Sequence, residues 1–450
     1  YFTPDHIVRL LLDNTLGRIW YEIRAGHTRI AEQCTHMLQP KDDESFSRAP
    51  KDPRDLRVLD PACGSGHFLL YAFELFVAIY LEAWDECEGP VSEITGRSLR
   101  ADYPSREDLC KALPSLILRH NLYGVDLDSR CVQIAGLALW LRAQRAYRDL
   151  KVALTDRLPI AKCNIVAAAP VAGLSEETVG FMGGLDRTVA SLFQSILGEM
   201  ELAGEAGTLL RIERTIQKSI RALVGEHGDL FRQGDEEAWQ EAEEKLLGAV
   251  RTYSDTVGTG ARVRRRLFSE DASHSFEFID ICRRRYDAVV LNPPYTEVGG
   301  SFGTYLRKAY PDNWTNLYSA FIERALELST GRIGVVCADG LLTGYRMRNL
   351  RQDFIERQKL VLLAPLDRQT FDEMGLATVA FVLDRAGNIL EPMLGEATPQ
   401  GFRATDVITP AAVSSKVDFV LTPELIRHGH QSWEDAHQFG TDYATVTTGN

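Results

Sequence analysis

The sequence predicts an α/β fold: a doubly wound, mostly parallel Rossmann-like sheet that carries a helical insertion. Three observations point to it. Short β-branched runs alternate with helical stretches along most of the chain, the signature of parallel strands joined by crossover helices. One such run passes through a glycine-bearing turn directly into an apolar helix, as ligand-binding turns of these sheets do. Residues 173–275 interleave acids and bases at helical spacing, far too long a stretch for a connection inside such a sheet.

The chain has 450 residues, 45% hydrophobic and 25% charged, enough to bury a large core and to carry more than one domain. Its formal net charge of −13 argues against a surface that clings everywhere to a polyanion, yet leaves room for a local basic groove. The eight cysteines (Cys34, Cys63, Cys87, Cys110, Cys131, Cys163, Cys282 and Cys337) form no CxxC pair, so neither a zinc site nor a disulfide framework is expected. No metal is expected elsewhere. No signal peptide stands out, and no uninterrupted apolar run approaches the roughly 18 residues of a membrane span. A cytoplasmic location and no membrane partner follow as expectations. The chain opens on Tyr1 and closes on Asn450 within what reads as the start of a new element, so a trimmed sequence is expected.

Taken in order, residues 1–50 form an N-terminal helical segment. Thr3 is a plausible N-cap and Pro4 takes the first helical position before apolar residues at helical spacing. Residues 51–172 form the first half of the sheet domain. Within it, Val58-Leu59-Asp60 is a strand, Pro61 to Gly66 a turn and Phe68 onward a helix. Glycine at Gly64 and Gly66 lets backbone approach a ligand, and the helix N-terminus offers N–H groups. Asp60 beside that turn favours a cationic amino-acid moiety over a phosphate. A second strand, residues 122–128, ends in acids. Asp126 suits the two hydroxyls of a ribose, since a carboxylate accepts both hydrogen bonds. Asp128 fits that role or an N-cap of the next helix. A third strand, residues 163–170, has no charged residue with which to read an adenine amine.

Residues 173–275 are the helical insertion, with helices expected near 206–223 and 236–247. Arginines 262, 264–266 and 283–285 bracket its return. Residues 276–400 form the second half of the sheet domain. It opens with the apolar run 287–291, followed by Asn292-Pro293-Pro294-Tyr295. Two prolines after a strand remove two donors and leave carbonyls without ladder partners. Residues 296–313 read as a mobile loop, 316–326 as an amphipathic helix and 332–338 as a strand. An arginine-bearing helix is expected over 344–357, and strands over 361–366 and 377–383 flank a loop holding Phe371. Residues 401–450 read as a linker and the start of a further domain.

An amine on a heteroaromatic ring is a poor nucleophile because its lone pair is delocalised. Acceptance of both N–H protons, by the Asn292 side-chain oxygen and the Pro293 carbonyl, favours a pyramidal nitrogen with an available lone pair. Tyr295 supplies a ring on which a flipped-out base can stack, with Phe371 as a second candidate. A side-chain amide is another substrate such a tetrapeptide would suit, and a cofactor-binding protein without catalysis is a third reading.

These motifs resemble, in their order along the chain, the gamma-class amino-group-specific adenine DNA methyltransferases. The likeness spans nearly the whole length apart from the insertion. It is nearest in character to the methyltransferases of phage-defence systems of the BREX and DISARM type. The resemblance implies S-adenosylmethionine as cofactor, contacted by Phe2, Thr3, Asp60, Ala62, Gly64, Gly66 and Asp126. It implies a target adenine in DNA met by Asn292, Pro293, Pro294 and Tyr295, with other defence proteins as partners. Residues 439–450 resemble the opening of a target-recognition domain. Many relatives carry an acid at the end of the third strand; Ala167, Ala168 and Ala169 stand there instead.

Overall fold

Runs of Val, Leu and Ile that leave no room for surface build the centre of a sheet. The computed structural model describes residues 3–38, 48–86, 89–160, 163–169, 181–185, 187–227, 248, 262–296, 298–343, 347, 349–350, 360–366, 371, 377–385, 393–398 and 401–407. The chain divides into two compact units.

The first unit holds Tyr1–Gly124, Ile134–Cys163 and Arg285–Asn450. Its central strands are β1 (Val58–Asp60), the first three residues of β2 (Leu122–Asp126), β4 (Tyr286–Leu291) and β5 (Ser329–Ala338), with β3 described below. β1 runs parallel to β2 and to β4, with Asp60 opposite Gly124, and β4 runs parallel to β5. These strands are buried almost throughout, as a sheet covered on both faces requires. Beyond β5 the direction changes. β6 (Leu360–Leu366) and β7 (Thr378–Asp384) pair antiparallel, and β7 lies between β5 and β6, antiparallel to both. The expected continuous strand–helix alternation stops here. Eleven residues separate β6 from β7, fewer than the dozen or more of a parallel crossover. β8 (Met393–Thr398) adds parallel to β6, and β9 (Gly401–Val407) antiparallel to β8. This pair, unmarked in the sequence reading, straddles position 400, where a linker was expected to begin.

The N-terminal helix Asp5–Leu12 buries Ile7, Val8, Leu10, Leu11 and Leu12. Its N-cap is Pro4, and no side chain caps it, which corrects the expected Thr3 cap. The Pro4 carbonyl instead accepts the N–H groups of Ile7 and Val8, both at 3.0 Å. The helix continues through a π-turn, Asp13–Gly17, into Arg18–Ile23. It lies against β5 at Gly334, where an added Cβ would stand 3.1 Å from Leu11 Cβ and 3.2 Å from Thr15 Cγ2.

Helix His67–Asp85 follows the glycine turn. By length and composition it is apolar enough to cross a membrane, but Phe68, Leu69, Ala72, Phe73, Leu75, Phe76, Ile79 and Tyr80 are buried, and it serves as a core helix. Residues 296–313, expected to be loop, contain the helix Gly300–Ala309. Phe302 and Leu306, four residues apart, are buried and anchor it.

The second unit comprises Val125–Gln133 and Asn164–Arg284. In it β3 (Asn164–Ala167) is followed by Ala168, whose N–H donates to the Asp126 carbonyl at 2.9 Å. Helices Arg187–Met200, Ile212–His227 and Arg262–Arg283 make up most of its other described residues. The expected helix over 206–223 starts later, because Gly207 turns the chain at φ +52° before Ile212. The helix expected over 236–247 and most of that over 344–357 lie outside the described residues.

Candidate active site

The glycine turn starts from a buried acid. Asp60, 1% exposed, closes β1, and its Oδ1 accepts the Ala62 N–H at 3.1 Å. That bond folds the chain back at once and keeps the carboxylate beside the turn. Gly64 (φ +52°) and Gly66 (φ +88°) both occupy the left-handed region, which costs an L-residue about 1–2 kcal/mol. The Gly66 N–H reaches back to the Cys63 carbonyl at 2.8 Å, and Gly66 is the uncapped N-cap of helix His67–Asp85. A Cβ at Gly66 would lie 3.2 Å from Ala135 Cβ; one at Gly64 would meet nothing within 4 Å. Gly66 therefore answers to packing as well as to its turn, whereas Gly64 opens onto free space.

β2 carries the second acid. Asp126 is its last residue, two beyond Gly124, and its Oδ1 accepts the Asp128 N–H at 2.9 Å. Asp128 Oδ1 accepts the Arg130 N–H at 2.9 Å, and its carboxylate pairs with the Arg130 guanidinium. Those hydrogen bonds hold its pKa down to about 2. Asp128 thus serves the start of helix Ser129–Asp149, while Asp126 ends the strand.

β4 delivers the tetrapeptide. Pro293 is buried, Pro294 exposed, and Asn292 and Tyr295 half-buried. The Asn292 amide is held at both ends. Its Nδ2 donates to Thr3 Oγ1 at 3.1 Å, and its Oδ1 accepts the Tyr295 hydroxyl. Tyr295 also approaches the Val336 carbonyl on β5 at 3.5 Å. Burial, and then Cys337, push the Tyr295 phenol well above its ordinary pKa, so it stays neutral and a donor. A side chain from the first described residue and two from the tetrapeptide form one hydrogen-bonded row. Its first link joins positions 289 residues apart, and no local pattern in the sequence marks it.

Of the other expected site residues, Ala62 lies in the turn, Phe371 is buried at 5% exposure, and Phe2 lies outside the described residues. Among the described residues no group of three or more His, Cys, Asp or Glu side chains is placed to hold a metal ion.

The parallel strands β1, β4 and β5 with β7 reversed beside β5 make the sheet of a Rossmann-like methyltransferase. The glycine turn fits S-adenosylmethionine: it offers an acid, a helix start without a side-chain cap and open space at Gly64 rather than a cationic phosphate cradle. The chain belongs to the Eco57I restriction-modification methylase family, whose model matches residues 120–371, more than half of its length. The DNA-methyltransferase domain of MmeI matches residues 41–175. Among named relatives, the adenine-specific methyltransferase BrxX of Escherichia coli O9:H4 (strain HS) is 26% identical over 366 residues, 73% of this chain and 25% of that protein. The adenine-specific methyltransferase PglX of Lacticaseibacillus casei (strain Zhang) is 25% identical over 417 residues, 85% of this chain and 29% of that protein. The resemblance to adenine-specific methyltransferases of BREX type is thereby borne out. The chain spans between a quarter and a third of the length of these relatives. Of solved structures, the DrdV–DNA complex is 12% identical with a TM-score of 0.41, covering 96% of this chain and 31% of that one. So distant a likeness has no bearing on chemistry.

Proposed function

We propose that this chain transfers a methyl group to N6 of an adenine flipped out of DNA, within a bacterial phage-defence or restriction-modification system. What carries the reading is the Asn292 amide, anchored on Thr3 through its nitrogen with its oxygen turned to Tyr295. The target amine brings two N–H donors and needs acceptors, and Asn292 Oδ1 and the Pro293 carbonyl supply them. Proline at 294 has no N–H with which to compete for either. As the amine becomes pyramidal, its lone pair forms the N–C bond while the C–S bond breaks. The bonding pair would return to the donor's sulfonium, and the nitrogen's surplus proton goes to solvent while Asn292 Oδ1 and the Pro293 carbonyl hold the amine. S-adenosylmethionine contributes an electrophilic methyl group on a sulfonium, so no strong base is needed. Asp60, Gly64 and Gly66 hold its amino-acid end, and the Tyr295 ring takes the base. Such stacking offsets the few kcal/mol of unstacking.

The test is the N6-methyladenine content of DNA, measured by mass spectrometry after incubation with cofactor and protein. Asn292→Ala is expected to abolish methylation while cofactor binding, followed by calorimetry, stays within about twofold, since the amide oxygen is assigned to the target amine and not to the cofactor. Wild-type protein that leaves adenine unmodified, or an Asn292→Ala protein that turns over normally, sinks the reading.

A further inference from the structure

We infer that Thr3 is a positioning residue for Asn292, holding the nitrogen side of its amide so that the oxygen side is presented to the target amine. This deepens the proposed reaction and rests on it. The terminal torsion of an Asn side chain is broad, so its own rotamer preference does little to fix the amide plane. The chain around it helps little: Leu291 is apolar, and Pro293 and Pro294 have no N–H. Two hydroxyls do the holding, and they act on opposite ends. Tyr295 sits on Oδ1, the atom the substrate needs, so its bond has to be shared or surrendered when the amine arrives. Thr3 sits on Nδ2 at 3.1 Å, the atom the substrate does not use, so its bond persists throughout turnover.

Thr3 is suited to the task. It is 8% exposed, and it precedes the Pro4 turn that starts helix Asp5–Leu12. That helix and its continuation are tied to β5 by Arg332, whose Nη1 donates to the Asn14 carbonyl at 3.0 Å and whose Nη2 donates to Glu22 at 2.6 Å. The N-terminal segment is therefore fixed to the strand beside β4, and the hydroxyl it carries is a rigid post. Thr3 acts through Asn292 and is not itself a catalytic residue. This assignment differs from a cofactor contact, and the two separate in kinetics. A cofactor contact changes the affinity for S-adenosylmethionine; a post for Asn292 changes turnover.

The experiment compares Thr3→Val, which keeps the shape and removes the acceptor, with Thr3→Ser, which keeps the hydroxyl. In methylation assays Thr3→Val is expected to lower kcat roughly 10- to 100-fold, the scale of a small misplacement of a reacting group. The KM for cofactor stays within about twofold, and Thr3→Ser restores most of the loss, because only the hydroxyl matters. A second readout needs no substrate. In protein labelled with 15N-asparagine, the Asn292 Nδ2 proton pair, assigned by its loss in Asn292→Ala, shifts in Thr3→Val and not in Thr3→Ser. An unmoved pair, or a Thr3→Val defect confined to cofactor affinity, overturns the inference. If wild-type protein fails to methylate adenine, the reaction is misread, and the resonance still decides whether Thr3 holds the amide. Should Thr3→Val fail to fold, Thr3→Ala is read by the same resonance with the same outcomes.

Discussion

Tyr295 has two chemistries on one side chain, and substitutions separate them. Its ring is the proposed platform for the base, while its hydroxyl, kept neutral by burial, donates to Asn292 Oδ1. Removing the ring forfeits roughly 1–3 kcal/mol of stacking. Tyr295→Ala is therefore expected to lower kcat/KM for DNA about 5- to 150-fold. Tyr295→Phe keeps the ring and frees Oδ1 for the amine, so kcat/KM should stay within about fivefold, the scale of one net hydrogen bond. Steady-state methylation of both variants checks this, and a Phe variant as weak as the Ala variant would move the essential chemistry from the ring to the hydroxyl. At this scale the sequence was informative about identity and silent about partnership. Asn-Pro-Pro-Tyr could be read as a strand ending in unspent acceptors, and Asp60, Gly64 and Gly66 as a turn built for a ligand. That Thr3 would reach Asn292 could not, because tertiary packing alone brings two residues so far apart in the chain to one spot.

At the level of elements, the N-terminal helix and β5 are joined through buried charge. Arg332, 1% exposed in the middle of an apolar strand, donates to Asp384 on β7 at 2.9 Å, to Glu22 and to the Asn14 carbonyl. Glu22 and Asp384 also accept from Arg48, and Arg18 donates to Glu22 at 3.0 Å. The Asn14 carbonyl belongs to the π-turn Asp13–Gly17. Burial lowers the pKa of Arg332, against the pull of Asp384 and Glu22 upward. Deleting one partner of such a group strands the others in a dry interior, at about 3–5 kcal/mol. Arg332→Ala is thus expected to lose about that much in denaturant unfolding, and Arg130→Ala, from a pair whose arginine is 84% exposed, to leave the unfolding midpoint unchanged. Equal losses would mean that the buried cluster is not what binds the helix to the sheet. Most strands and the long helices were legible as apolar runs and periodic stretches. The helix Gly300–Ala309 was hidden by its Gly and Ser content, although Phe302 and Leu306 carried the helical spacing. The reversal at β7 left no mark except the short connection before it.

Charge is the property of the whole molecule that bears most directly on DNA. Acids outnumber bases by 63 to 50, so non-specific attraction to phosphates must come from a few local cations. One such group lies on the segment that follows the tetrapeptide in the chain. The segment after Tyr295 leaves at Thr296 and returns at Leu317, whose N–H donates to the Thr296 carbonyl at 3.2 Å. On this closed excursion Arg307 and Lys308 are exposed at the end of helix Gly300–Ala309, and the Arg307 guanidinium stacks 4.2 Å over the Trp314 ring. Two phosphate contacts of this kind correspond to a slope of about −2 in log K against log salt. The 450-residue chain is accordingly expected to bind duplex DNA only in the range of about 10⁻⁴ to 10⁻⁶ M near physiological salt, with that shallow slope. Replacing Arg307 and Lys308 together by Ala should bring the slope close to zero while leaving S-adenosylmethionine binding unchanged, as anisotropy titrations over a salt series would show. Nanomolar, sequence-selective binding by this chain, or an unaltered slope in the double variant, would place the phosphate contacts on other residues and give this chain a share in site selection that its charge argues against.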